Sequence, residues 1–135
     1  MTQEDESSKS AHIEADKVEM KKVLVIAERE RRLIYALLAH IAIVIFKASV
    51  RDDIRPILVF IHPVIILALV IFSARIFMCY YETMATFALV LLTLIPGINL
   101  IIWGYIIFKS HKFIKSKGFK VGLLGARLDD IKSAI

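Results

Sequence analysis

Proline and glycine are absent before Pro56 in this chain of 135 residues. Nothing therefore interrupts a helix from the N-terminal arm into the first apolar run, and one continuous helix is predicted there. Cysteine is nearly absent too. Cys79 stands alone, so no internal disulfide can form and the redox compartment stays open. Formal charge is missing altogether from Thr83 to Phe108, 26 residues that water would solvate poorly. No period-two alternation, HExxH pair or nucleophile-with-base spacing occurs, which leaves nothing to argue for a β-sheet or an enzyme. A secretory signal is not predicted, because residues 1–32 mix acidic and basic side chains without a short apolar core and a small-residue cleavage site.

What is present is apolar surface. Hydrophobic residues make up 58% of the chain and the mean hydropathy is +0.68, above the roughly 45–50% apolar share of soluble domains. Charge collects at residues 1–32 and 109–135 and avoids the interior. The composition therefore predicts an all-α integral membrane protein with about three transmembrane helices. The net charge of +5 comes largely from lysines beside apolar runs, so anionic lipid headgroups rather than nucleic acid are the expected partner.

The pattern divides into four parts. Residues 1–10 are polar without periodicity and read as a disordered leader. Residues 11–32 form an amphipathic juxtamembrane helix continuous with the first span. Residues 33–108 carry the three spans: Leu33 to about Val50, Ile57 toward Tyr80, and Thr83–Phe108. Residues 109–135 make a basic juxtamembrane tail, with Gly118 placed to cap its helix and "FKVGLLGA" forming a compact turn. Counting Lys and Arg around three crossings places the C-terminus in the cytoplasm.

Helix breakers and polar groups inside the spans mark the candidate positions. Pro63 bends the second span, while Pro96 and Gly97 bend the third and leave the carbonyl of Leu92 without its helical donor. Depth counting puts His62 and Asn99 level on neighbouring antiparallel helices, with His40 slightly across the midplane. His40, His62 and Asn99 are thus a candidate intramembrane polar cluster. It reads first as hydrogen-bonded cross-links between helices and second as a path for protons or a ligand. Unequal histidine depths and the lack of a supporting carboxylate argue against haem, so no cofactor or metal is predicted. Lys109, Lys112, Lys115, Lys117 and Lys120 are the predicted headgroup contacts.

Residues 94–126, "LIPGINLIIWGYIIFKSHKFIKSKGFKVGLLGA", add a resemblance. The Leu-Ile-Pro opening, the aliphatic run, the basic helical stub and the ending at Gly118, Lys120, Val121, Gly122, Leu123, Leu124, Gly125 and Ala126 resemble the C-terminal signature of a family of small uncharacterised bacterial inner-membrane proteins. "RRLIYALLAH" and "RPILVFIHPVIILALVIF" are similar to that family's first two spans. The resemblance implies three spans in a bacterial inner membrane and attaches no activity. The functional expectation is a non-enzymatic accessory or scaffold subunit of a membrane assembly, as a homo-oligomer or within a larger complex. A small channel or holin-like pore is the alternative.

Overall fold

The computed structural model describes residues 3–51 and 53–135, with side chains described from residue 8 onward. Helix α1 runs unbroken over Gln3–Ser49, 47 residues, as expected of a segment free of proline and glycine. It also takes in residues 3–10, where a disordered leader was predicted; Met1 and Thr2 lie outside the described residues.

Helix α2, Arg55–Phe77, starts with Pro56 in its first turn, where a missing amide hydrogen costs nothing. It continues through Pro63 as one helix of 23 residues. Both α1 and α2 are long and apolar enough to cross a membrane, yet only 11% and 17% of their most apolar stretches are buried. A core helix of a soluble protein would be mostly buried, so these two present their apolar surface outward.

The third apolar segment departs from expectation. In place of one bent helix over Thr83–Phe108 there are two, α3 over Thr83–Thr93 and α4 over Ile98–Ser116. Helix α3 stops at Thr93, where Pro96 has no amide hydrogen to continue the ladder, and Gly97 takes φ 89° just before α4, a conformation that no right-handed helix contains. The carbonyl of Leu92 is not orphaned, because the chain tightens and Ile95 N donates to it at 3.2 Å.

Beyond the break the chain turns back. Tyr81, just before α3, meets Lys109 in α4, with Nζ donating to the phenol oxygen at 3.0 Å. The start of the segment and its end therefore share one level, and α3 with α4 forms a helical hairpin tipped by Pro96 and Gly97. Each arm within the uncharged stretch is 11 residues, about 16 Å at 1.5 Å per residue, about half of a hydrocarbon core.

Because the hairpin returns, both ends of the chain gather at one end of the α1–α2 pair. The tail adds a two-residue strand pair, β1 (Val121–Gly122) with β2 (Gly125–Ala126), antiparallel, and the short helix α5 (Leu128–Ser133). No strand was predicted in this region. The ladder forms because the Leu123–Leu124 reversal is closed by Gly125 at φ 92°, which an L side chain rarely adopts. The arm and tail pack on each other through Val23, Ile26, Ala27, Ile114, Ala126 and Ile131, and Lys117 ion-pairs with Glu19. A second cluster joins Leu33, Leu69, Ile76, Phe77, Trp103 and Ile106.

Gly125 also allows close approach. A Cβ there would stand 3.8 Å from the Arg31 Cβ and the Ile34 Cδ1, which is ordinary contact, so the backbone angle carries the penalty. Gly125→Val is expected to destabilise by about 1–3 kcal/mol, read as a lower Tm in detergent. An unchanged Tm would show that the hairpin is not held in this conformation.

Candidate functional site

Two polar clusters interrupt the apolar packing. The first lies deep between α1, α2 and α4. His40 and His62 face each other with ring centroids 5.1 Å apart, and Trp103 meets His40 edge-on at 6.1 Å. Lys47 reaches the same place, its Nζ 2.7 Å from His62 Nδ1. An ammonium has no lone pair, so Nζ donates and Nδ1 accepts, which leaves the proton of the neutral ring on Nε2. That Nε2 and His40 Nδ1 are buried without a hydrogen-bond partner.

Asn99 does not join this cluster. Its Oδ1 accepts from Gly97 N at 3.2 Å and from Leu100 N at 2.7 Å. The break at Pro96–Gly97 exposes amide hydrogens in the first turn of α4, and the nearest acceptor takes them before a distant helix can. Trp103 occupies the inward position instead. Its Nε1 donates to Ser73 Oγ at 2.9 Å, and Ser73 Oγ in turn donates to Leu69 O at 2.6 Å. Trp103→Phe is expected to lose about 0.6–1.7 kcal/mol, measurable as earlier unfolding in a detergent titration; an equal loss in Ser73→Ala, with no further loss in the double variant, confirms the bond as the cause.

The second cluster lies where the arm and tail meet. Glu30 is fully buried and stands 2.7 Å from His111 Nε2, although the approach falls outside hydrogen-bond geometry and both carboxyl oxygens lack a hydrogen-bond partner. Burial pushes the Glu30 carboxyl up to about 8 and holds His111 below the usual imidazole range, because each charged form has lost its water. Near neutral pH the pair therefore keeps a proton on the carboxyl beside an uncharged ring. Arg29 does not neutralise Glu30: its Nη1 donates to Arg75 O at 2.6 Å and to Cys79 Sγ at 3.2 Å. Tyr80 closes the region, its hydroxyl donating to Ser110 Oγ at 3.2 Å.

Sequence reasoning did not single out Glu30. The signal was present, since Val23, Ile26, Ala27, Glu30, Leu33 and Ile34 share one helical stripe and the acid occupies a position where the stripe calls for an apolar residue. His111 carried no local signal, because only the return of α4 brings it near.

The lysines expected to act alike divide. Lys109 is folded among tyrosines, 4.3 Å from the Tyr81 ring centroid and 4.9 Å from that of Tyr80, a cation–π setting. Lys117 pairs with Glu19. Lys112 and Lys115 are exposed, and Lys120 borders a cavity beside the hairpin strands. Among the described residues no group of three or more His, Cys, Asp or Glu side chains is placed to hold a metal ion. Comparison with family models, with curated proteins and with solved structures finds no match, so the geometry alone carries the functional reading.

Proposed function

We propose that this chain is a non-enzymatic accessory or scaffold subunit of a membrane assembly, embedded through two crossing helices, α1 and α2, and a re-entrant hairpin, α3 with α4. The membrane reading is supported by the outward apolar surface of Phe60, Val64, Phe87 and Ile101, which are 62–78% exposed; in water such a surface would drive association. The third apolar segment enters and returns, in place of the third crossing first expected. Of the 18 Lys and Arg residues, only Lys47, Arg51 and Arg55 stand at the end opposite the termini. The positive-inside bias then favours both termini in the cytoplasm. The bacterial inner membrane as location rests on the resemblance of residues 94–126.

The observation that carries the scaffold reading is the arm. Residues 8–19 of α1 are exposed on every side, Ile13 and Val18 among them at 52% and 64%. A single helix standing clear of its core gains little from propensity alone. It suits capture of a partner helix. Full-length protein purified from native membranes in mild detergent is expected to migrate as a stable larger complex, and Ile13→Asp with Val18→Asp to release the partner at unchanged Tm. A chain that purifies alone with an intact arm overturns the reading.

The pore reading has its own support. Lys47 and His62 border an open cavity of about 520 Å³ lined by α2, the end of α1 and Leu94, and intramembrane ionisable groups often line pathways. Liposomes holding the protein would then leak ions, with His40→Ala and His62→Ala reducing the leak. Tight liposomes remove this alternative.

A further inference from the structure

The tail's hairpin and α1 enclose a cavity of about 700 Å³ whose lining includes Arg31, Tyr35, Lys120, Leu124, Arg127 and Asp130. Three cations and one carboxylate thus face the same space, and among the described residues none of the four takes part in a salt bridge. Three cations against one carboxylate leave the lining net positive, and such a lining favours an anion. Arg31 is also held in position: its Nε donates to the Tyr35 hydroxyl at 3.1 Å and its guanidinium lies 5.5 Å from the Tyr35 ring centroid.

The surroundings narrow the choice of anion. Arg31 and Tyr35 flank the start of the apolar run of α1, so the cavity opens at the level where that helix would leave the membrane. Beside it the loop between the two strands presents Leu123, 92% exposed, and Leu124, 47% exposed. An apolar tip of that kind is costly in water and favourable in acyl chains. Phosphate-binding charge and chain-binding surface therefore adjoin each other, as a phospholipid requires and a free phosphate ion does not.

We propose that this cavity is a binding site for an anionic glycerophospholipid, with the phosphate held by Arg31, Lys120 and Arg127 and the acyl chains against Leu123 and Leu124. Two net positive charges in the lining favour a headgroup that adds no cation of its own, so zwitterionic lipids bind less well. The proposal rests on the membrane placement given above, but not on the scaffold or pore reading.

The test is native mass spectrometry of the full chain released from detergent micelles doped with phosphatidylglycerol or phosphatidylcholine. Retained phosphatidylglycerol is expected on the native chain. Lys120→Gln with Arg127→Gln, both exposed and outside the core, should weaken retention about tenfold, equivalent to roughly 1.4 kcal/mol. Lys21→Gln with Lys22→Gln removes the same charge elsewhere, at exposed positions outside the cavity lining, and should leave retention unchanged. Leu123→Ser with Leu124→Ser should lower retention of the lipid without lowering that of glycerophosphoglycerol. Equal loss in the Lys21/Lys22 variant, equal retention of phosphatidylcholine, or full displacement by inorganic phosphate would each overturn the proposal. Carbonate extraction on the same preparation reads membrane placement separately, so failure of the site and failure of the placement are told apart.

Discussion

Single cysteines introduced at Lys9 and Lys132 in a Cys79→Ser background are expected to react with a membrane-impermeant maleimide from the same side of sealed vesicles, and one at Asp53 only from the other. The effect is all or none. It follows from the ion pair between Lys117 and Glu19 and from the packing of Val23, Ile26 and Ala27 on Ile114, Ala126 and Ile131. Those contacts hold the arm and tail together, so an even number of crossings must separate them. Three crossings would place Lys9 and Lys132 on opposite sides. A Lys132 cysteine that labels together with Asp53 would therefore sink the re-entrant hairpin and restore the third span. Cys79→Ser is a mild background, since serine keeps an acceptor for the Arg29 guanidinium.

The second large effect runs against the usual cost of removing a charged residue. Glu30→Gln is expected to stabilise the protein at alkaline pH. The native carboxyl titrates near 8 against an ordinary value of 4.5, so between those values the folded state holds a proton that the unfolded state has released. Stability is then fully present below about 4.5 and is lost as pH rises through 8. The loss is on the order of 5 kcal/mol by pH 8 and above. His111 works in the opposite sense: its lowered value means the unfolded state takes up the proton first, so its contribution falls as pH drops below 6.5. Together they place greatest stability in mildly acidic solution, below about 6.5, with a net decline from there that levels off above about 8. Gln keeps the shape and cannot ionise, so that alkaline decline should vanish in the variant. Thermal unfolding in detergent across pH 5 to 9 measures it. A Glu30→Gln curve that still falls between neutral and alkaline pH would show that the proton lost there belongs to another group.

The polar cluster of His40 and His62 shows the limits of depth counting. Counting set His62 level with Asn99 and His40 slightly across the midplane, whereas the two imidazoles, each on an unbroken helix, face each other with centroids 5.1 Å apart. Asn99 was counted on the same basis, but it follows a break where the helical rise does not continue. Its amide serves the backbone of Gly97 and Leu100 instead. The partner that does reach His40 is Trp103, one turn further along α4.

Residue order by itself determined where α1 runs without a break, where α2 begins and where the third apolar segment is interrupted. A stretch without proline or glycine gives the 47 residues of α1, Pro56 opens α2, and Pro96 with Gly97 ends α3, because helical hydrogen bonds span only four residues and answer to local chemistry. Whether the chain crosses or returns after Gly97 was decided by tertiary structure, as were the company Glu30 keeps and the side on which the tail lies. Those outcomes depend on one pair of backbone angles and on packing between residues some 80 or more apart in the chain, such as Glu30 with His111. No local pattern encodes such contacts, since a helix of given composition is equally stable pointing either way until another surface meets it.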